Sequence, residues 1–350
     1  MIEAERAGAV AEAVRTLNPG YFALVMATGI VSVGMHNHDV PWLSAALLLV
    51  AALAYAVLVV LHAARLALHR DAVFADLADP RRGFGLFTFV AATDVLGTRI
   101  AIDGDRTVAL ALLLVGALAW LLLGYVVPWT ALLSRADRPI LGDANGTWFI
   151  WTVASQSVAV LAATLEPTVV TGRRELAVLA VVSWSVGVFL YCGVAVLVAA
   201  RMLLYPLRPT DLTPPYWVSM GATAITVLAG SRIVKMADAP MVAATRGLIA
   251  GTSVVFWAFG SWLIPPLLAA GVWRHVRHRV PLRYEATLWS IVFPVGMYGV
   301  GSYLLGKADH LPIVSAIGAD VTWVALGVWL LTFAAMLRNV SRLVHLPGGG

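Results

Sequence analysis

Residues 42–61 read WLSAALLLVAALAYAVLVVL, an apolar run without a charged side chain that is long enough to cross a bilayer as one helix. The whole chain has the same character: 60% of its 350 residues are hydrophobic, 12% are charged, and the mean hydropathy is +0.86. Soluble domains are about half apolar and about a quarter charged. These values exclude a soluble globular protein and predict an all-α integral membrane protein.

A length of about 20 apolar residues for each crossing predicts ten transmembrane helices. They cover residues 20–36, 42–66, 84–102, 107–131, 147–165, 175–200, 216–236, 246–273, 286–306 and 316–338. We divide the chain into an N-terminal segment at 1–18, a ten-helix domain at 19–342 and a C-terminal tail at 343–350.

The loops indicate the orientation of these helices in the membrane. Ten crossings put both termini on one side, and sixteen Lys and Arg residues fall in the loops on that side, against eight on the other. Because basic residues accumulate in cytoplasmic loops, we expect a protein of the cell inner (plasma) membrane with both termini in the cytoplasm.

The spans repeat in pairs of unequal polarity. The first span of each pair begins near Pro19, Gly83, Gly146, Pro215 or Glu285, which predicts five helical hairpins. First members carry hydroxyl, amide and charged groups, as in FTFVAATDVLGTR at 87–99, whereas second members are almost wholly apolar, as in TVALALLLVGALAWLLLGYVV at 107–127. Polar groups avoid lipid, so we predict an inner ring of odd-numbered helices that forms a pore and an outer ring of even-numbered helices.

The composition and motifs disfavour other classes of protein. The single cysteine, Cys192, belongs to no Cys/His cluster, and we expect no metal and no cofactor. Histidines lie near the ends of spans, and no hydrolase signature is present, so an enzyme or an electron-transfer subunit is a weaker alternative. The basic residues are dispersed along the chain, which disfavours nucleic acid as a partner.

Polar and small residues of the odd-numbered spans are the candidates for the wall of the pore. Neutral hydroxyls and amides can solvate a passing ion without holding it tightly, and glycines leave an open surface, although both also serve ordinary helix packing. The candidates for the pore wall are Thr28, Gly29, Asp94, Gly97, Ser155, Gln156, Thr223, Thr226 and Gly296.

Charged residues inside the spans are expected to have specific roles. Asp94 is the deepest acidic residue, and it either forms an ion pair with Arg99 or Arg232 that sets the helix register, or it carries a proton. Arg99, Arg232 and Lys235 are predicted to lie at the outer mouth, where they would attract anions. Alternatively, they extend to the interface without any such role.

Six stretches resemble the tellurite-resistance/dicarboxylate transporter family, which includes the plant slow anion channels, the fungal malate permease and the sulfite efflux pump. They are PGYFALVMATGIVSV at 19–33, FTFVAATDVLGTR at 87–99, NGTWFIWTVASQSVAVL at 145–161, PYWVSMGATAITVLAG at 215–230, FWAFGSWLIPPLL at 256–268 and WSIVFPVGMYG at 289–299. The resemblance implies a homotrimer in which each subunit has its own pore, closed near mid-membrane by a phenylalanine. The matching residue in this sequence is Phe293.

The resemblance further implies transport of small anions or C4-dicarboxylates such as malate, without catalysis. Two mechanisms stay open at this point, a passive channel gated by Phe293 and a proton-coupled carrier of dicarboxylates or an exporter of sulfite- or tellurite-like anions. The expected partners are therefore a small inorganic or dicarboxylate anion, protons in the second mechanism, the lipid bilayer and two further copies of the chain.

Overall fold

The computed structural model describes residue 8 and residues 11–133, 139–236 and 240–345. Parts of the predicted segments 1–18 and 343–350 therefore lie outside the described residues. Within these ranges the chain is helical and contains no β-strand, as predicted. The long helices are α1 Ala23–Asn37, α2 Pro41–Leu68, α3 Phe87–Ile102, α4 Arg106–Pro128, α5 Phe149–Leu165, α6 Arg173–Leu204, α7 Val218–Ile233, α8 Pro240–Val272, α9 Trp289–Ala308 and α10 Pro312–His345.

Nine of these helices, taken over the described ranges, are long and apolar enough to cross a membrane. The exception is α7, whose 16 residues include the polar Thr223, Thr226 and Arg232. It nevertheless packs against α5, α6, α8 and α9, so it belongs to the same bundle. The class of integral membrane protein is confirmed, while the tenth crossing stays a prediction.

The odd-numbered helices form a closed ring in which α1 contacts α3, α3 contacts α5, α5 contacts α7, α7 contacts α9, and α9 contacts α1. Each even-numbered helix packs outside the ring, against its own hairpin partner and the next odd-numbered helix. Between 78% and 94% of the residues are buried in the spans of α1, α3, α5 and α9, against 22% to 39% in those of α2, α4, α6, α8 and α10. The predicted inner and outer rings are confirmed.

Each inner helix begins with a 3-10 turn, at Pro19–Phe22, Gly83–Leu86, Gly146–Trp148, Pro214–Trp217 and Ala286–Leu288. The Asn18 side chain accepts a hydrogen bond from the backbone N–H of Gly20 at 2.8 Å, and Asn145 accepts one from Thr147 at 2.8 Å. These bonds satisfy N–H groups that the start of a helix leaves unpaired. The five turns contact one another in the same circular order as the helices, so all inner helices start at one end, which we call the N-terminal end of the ring.

A short helix that the sequence analysis did not predict, Arg70–Ala78, lies between α2 and α3. Asp76 in this helix pairs with Arg65 of α2 at 2.8 Å and with Arg82 at 2.5 Å. The carboxylate therefore ties the end of α2 to the start of α3. Nine residues with mixed polarity give too weak a periodic signal to be separated from a loop.

Candidate functional site

Two cavities lie on the axis of the inner ring, because residues from all five inner segments line each of them. The larger lies at the N-terminal end and has a volume of about 90 Å³; we call it the N-terminal cavity. Its lining residues are Asn18, Gly20, Arg81, Arg82, Gly85, Thr147, Ile150, Pro215, Ala286, Thr287 and Ser290.

The second cavity, which we call the distal cavity, lies farther along the same helices and has a volume of about 10 Å³. A space of this size holds about one water molecule. Its lining residues are Ile30, Val33, Val95, Thr98, Ser157, Val160, Ile225, Leu228, Arg232 and Met297. Most of this wall is therefore apolar.

Phe293 occupies the stretch of α9 between the two cavities. Ser290 lines the N-terminal cavity and Met297 lines the distal cavity, and Phe293 lies three residues after the first and four before the second, on the same helix face. Its side chain is only 1% exposed. The helical order on α9 therefore directs this ring toward the axis, in the packed region that separates the cavities.

The neighbours of Phe293 on α9 contact the adjacent inner helices. A Cβ atom at Gly221 of α7 would lie 2.8 Å from Pro294 Cγ, and one at Gly296 would lie 2.9 Å from the side chain of Ile30 on α1. Pro294 also removes one backbone donor from the interior of α9. Phe293 lies between these two contact faces of the helix.

The sequence analysis did not predict two residues that line the N-terminal cavity, Arg81 and Arg82. Arg81 pairs with Asp143 at 2.9 Å, and Arg82 pairs with the buried Asp76. The sequence signal is the basic pair that directly precedes the 3-10 turn of α3. By sequence alone, this pair indicates only the orientation in the membrane.

Asp94 is fully buried on α3 and lines neither cavity. Its Oδ2 accepts a hydrogen bond from Ser157 Oγ at 2.8 Å, and its Oδ1 has no partner and lies against Gly116 of α4. The pairing with Arg99 or Arg232 is wrong, since neither arginine forms an ion pair with Asp94. Because Ser157 also lines the distal cavity, this hydroxyl connects the carboxyl group to the axis.

The three basic residues assigned to the outer mouth have different environments. Arg99 is buried, pairs with Asp103 at 2.6 Å and donates to the hydroxyls of Ser32 and Ser44 at 2.9 to 3.1 Å. It therefore holds α1, α2 and α3 together. Lys235 is exposed beyond the end of α7. Arg232 lines the distal cavity, and its Nε atom is buried without a hydrogen-bond partner.

Several of the predicted wall residues contact the outer helices. Thr28 accepts a hydrogen bond from Trp329 of α10 at 3.0 Å. Ser155 and Gln156 donate to backbone carbonyls of α6, both at 3.1 Å. Thr223 lies against Gly260 of α8. The Thr226 hydroxyl bonds to the carbonyl of Ala222 in its own helix, and none of these five residues lines an axial cavity.

The predicted glycines allow close approach between inner helices. A Cβ atom at Gly29 would lie 2.8 Å from Val95 of α3, and one at Gly97 would lie 2.7 Å from Leu161 of α5. Gly296 likewise allows α9 to approach the Ile30 side chain of α1 closely. These contacts close the ring, which is the packing role that the sequence analysis left open.

Within the described residues no three His, Cys, Asp or Glu side chains are grouped to hold a metal ion.

A family model described as a voltage-dependent anion channel matches residues 16–337. Two transporters of Methanocaldococcus jannaschii, both named as uncharacterized, are 25% and 24% identical to this chain over 334 residues, which is 93% of this chain and 94% and 96% of theirs. An uncharacterized membrane protein of Mycobacterium tuberculosis is 69% identical over 160 residues, or 46% of this chain and 81% of its own length.

Proposed function

The chain belongs to the voltage-dependent anion channel family, and on this premise we propose that it passes small inorganic anions or C4-dicarboxylates such as malate along the axis of the inner ring, with Phe293 as the gate. The process involves no covalent step. The observation that carries the proposal is the pair of cavities, each lined by all five inner segments and separated at the level of Phe293.

The electrostatics of the N-terminal end favour anions. Five inner helices begin there, and each helix start carries a partial positive charge from its aligned peptide dipoles. Arg81 and Arg82 add two cationic side chains to the cavity wall, although each shares its charge with a carboxylate. A cavity of this kind raises the local concentration of anions and repels cations.

Removal of the aromatic ring tests the gate. We expect Phe293→Ala to raise the flux of nitrate, chloride or malate into proteoliposomes by about tenfold or more, since a path blocked by packed atoms would open, and a tenfold change corresponds to about 1.4 kcal/mol of barrier. Phe293→Leu should give an intermediate flux because it leaves part of the volume in place.

The matched control is Phe189→Ala, which makes the same change at a position on α6 that is 80% exposed on the outer surface. Its flux should equal that of the wild type. If Phe293→Ala remained folded and its anion flux were no higher than that of Phe189→Ala, Phe293 would not be the gate.

The environment of Asp94 favours a second candidate, a proton-coupled carrier of dicarboxylates or an exporter of sulfite- or tellurite-like anions. A buried carboxyl group with one unpaired oxygen, linked through Ser157 to the distal cavity, suits a group that binds and releases a proton during transport. In this candidate the anion gradient is coupled to the pH gradient.

Asp94→Asn distinguishes the two mechanisms, because it keeps the shape of the side chain and removes its titration. In a coupled carrier, an imposed pH gradient drives malate or sulfite uptake into wild-type proteoliposomes, and Asp94→Asn abolishes the response to pH while downhill flux persists. In a passive channel, wild type and variant respond alike to the pH gradient.

The family resemblance supports the assembly, and the distribution of Lys and Arg among the loops supports the orientation. We propose a homotrimer in the inner (plasma) membrane, with both termini in the cytoplasm. Apolar side chains such as Leu53, Leu118 and Phe189 are exposed on the outer helices, where they suit contact with lipid or with neighbouring subunits. Native mass measurement in detergent and protease access from each side of oriented vesicles test these two points.

A further inference from the structure

We infer that the distal cavity is a binding site for one small monovalent anion, of the size of a halide or nitrate, held by Arg232 and Thr98. The inference rests on the proposed function and narrows it, because such a site selects against dicarboxylates. It concerns where the anion is held, whereas the proposal for Phe293 concerns where its path is closed.

Two buried polar atoms that line the distal cavity have no hydrogen-bond partner, Arg232 Nε and Thr98 Oγ1. Buried polar groups in proteins are nearly always hydrogen-bonded to protein, water or a ligand, so two unsatisfied groups around one small space indicate that a water molecule or a small ion completes their hydrogen bonds. The guanidinium offers only donors, and the hydroxyl can donate one proton. This set matches an anion and disfavours a cation.

The charge of Arg232 has no counterion among the described residues, where no carboxylate pairs with it. Asp103 is already paired with Arg99, and Asp94 bonds to Ser157. Arg232 is half-buried, and a partly desolvated cation is costly unless an opposite charge offsets the lost hydration. An anion in the cavity supplies that charge.

The size and the walls of the cavity limit which anion fits. Its volume of about 10 Å³ is room for about one water molecule, so even a halide or nitrate requires the lining side chains to move slightly, and a C4-dicarboxylate does not fit. Apart from Arg232, Thr98 and Ser157, its lining residues are aliphatic or methionine, and the Ser157 hydroxyl is bonded to Asp94 or to the carbonyl of Ala154. A dicarboxylate would bring a second charge against these walls with no second cation to pair with it.

Binding can be measured without transport. The purified full chain in nanodiscs is melted in sodium nitrate, bromide, malate or sulfate at equal ionic strength. Because a ligand that binds only the folded state raises its stability, we expect nitrate and bromide to raise the Tm of the wild type more than that of Arg232→Gln. Malate and sulfate should change the two Tm values alike, since general salt effects act equally on both proteins. Arg232→Gln should weaken nitrate binding by about 10- to 100-fold, the effect of losing a hydrogen bond from a charged donor.

Two variants keep the result interpretable. Arg174→Gln makes the same change at an exposed position on α6 that does not line the distal cavity and should leave the nitrate-dependent shift unchanged. Thr98→Val keeps the charge and the approximate shape but removes the hydroxyl, and should reduce the affinity several-fold. If Arg232→Gln does not fold, Thr98→Val and Arg232→Lys replace it in the binding test, since both variants keep a cationic side chain at the cavity.

The outcomes separate this inference from the proposed function. If malate raises the Tm of the wild type over that of Arg232→Gln as much as nitrate does, or if Arg232→Gln or Thr98→Val keeps the full nitrate-dependent rise in Tm, the site is wrong even when Phe293→Ala raises the flux. If the nitrate-dependent shift is present and depends on Arg232, yet neither wild type nor Phe293→Ala passes any anion, the site stands and the transport proposal falls.

Discussion

At the scale of single residues, the buried charges of this protein divide into paired and unpaired groups. Arg99 and Asp76 have several partners each, which is typical of charges that stabilise a fold. Arg232, which is half-buried, forms no ion pair among the described residues, and neither its Nε nor Asp94 Oδ1 has a hydrogen-bond partner. Since an unpaired charge away from water is costly, Arg232 and Asp94 are two candidates for a functional role.

Asp76 tests the stabilising role of the paired charges. Arg65, its partner, has a side chain only 3% exposed, so Asp76→Asn leaves a buried guanidinium without a counterion. Breaking a buried pair from one side costs about 3 to 5 kcal/mol. We therefore expect a clear fall in the Tm of the purified protein, followed by intrinsic fluorescence.

Asp143→Asn is the control for Asp76. It breaks a pair with Arg81, whose side chain is 68% exposed, and exposed pairs contribute at most about 1 kcal/mol. Equal changes in Tm for the two variants would contradict the assignment of Asp76 as the carboxylate that holds α2 to α3.

At the scale of helices, one contact recurs in three hairpins. Asp94, Gln156 and Thr223 occupy similar positions in α3, α5 and α7, and each lies against a glycine of the helix that follows it, Gly116, Gly187 or Gly260. Glycine allows the polar group to approach the backbone of the outer helix closely. These contacts fix the rotation of the inner helices relative to the outer ring.

This recurrence explains why the candidate site was only partly predictable. Spacing along a helix gives the angles between its side chains but not the rotation of the helix about its own axis. A polar residue on an inner helix can avoid lipid in two ways: first, its side chain can point toward the axis, and second, it can point toward a partner on an outer helix. Thr28, Ser155, Gln156 and Thr223 take the second, whereas Thr98 and Arg232 take the first.

At the scale of the whole molecule, the ring places two separate spaces on one axis, and this arrangement predicts unequal access from water. In a Cys192→Ser background, which removes the single native cysteine, Ser290→Cys should react rapidly with a charged thiol reagent because Ser290 lines the N-terminal cavity. Met297→Cys, beyond Phe293, should react slowly when the reagent is added from the N-terminal side.

Adding Phe293→Ala should raise the labelling rate at position 297 by about tenfold or more, in line with the loss of the barrier, and leave the rate at position 290 unchanged. The rates are measured by mass spectrometry after timed quenching. Equal rates at the two positions in the presence of Phe293 would mean that the cavities are not separated by this residue.

The amino-acid sequence by itself determined that this is a helical membrane protein and which helices lie inside the ring, because both depend on the average polarity of whole segments. It also singled out Phe293 through a resemblance. Only the tertiary structure decided which polar groups face the axis, that Asp94 has no arginine partner, and that Arg232 and Thr98 line one cavity. Those facts depend on helix rotation and on contacts between residues far apart in the chain, which packing in three dimensions sets.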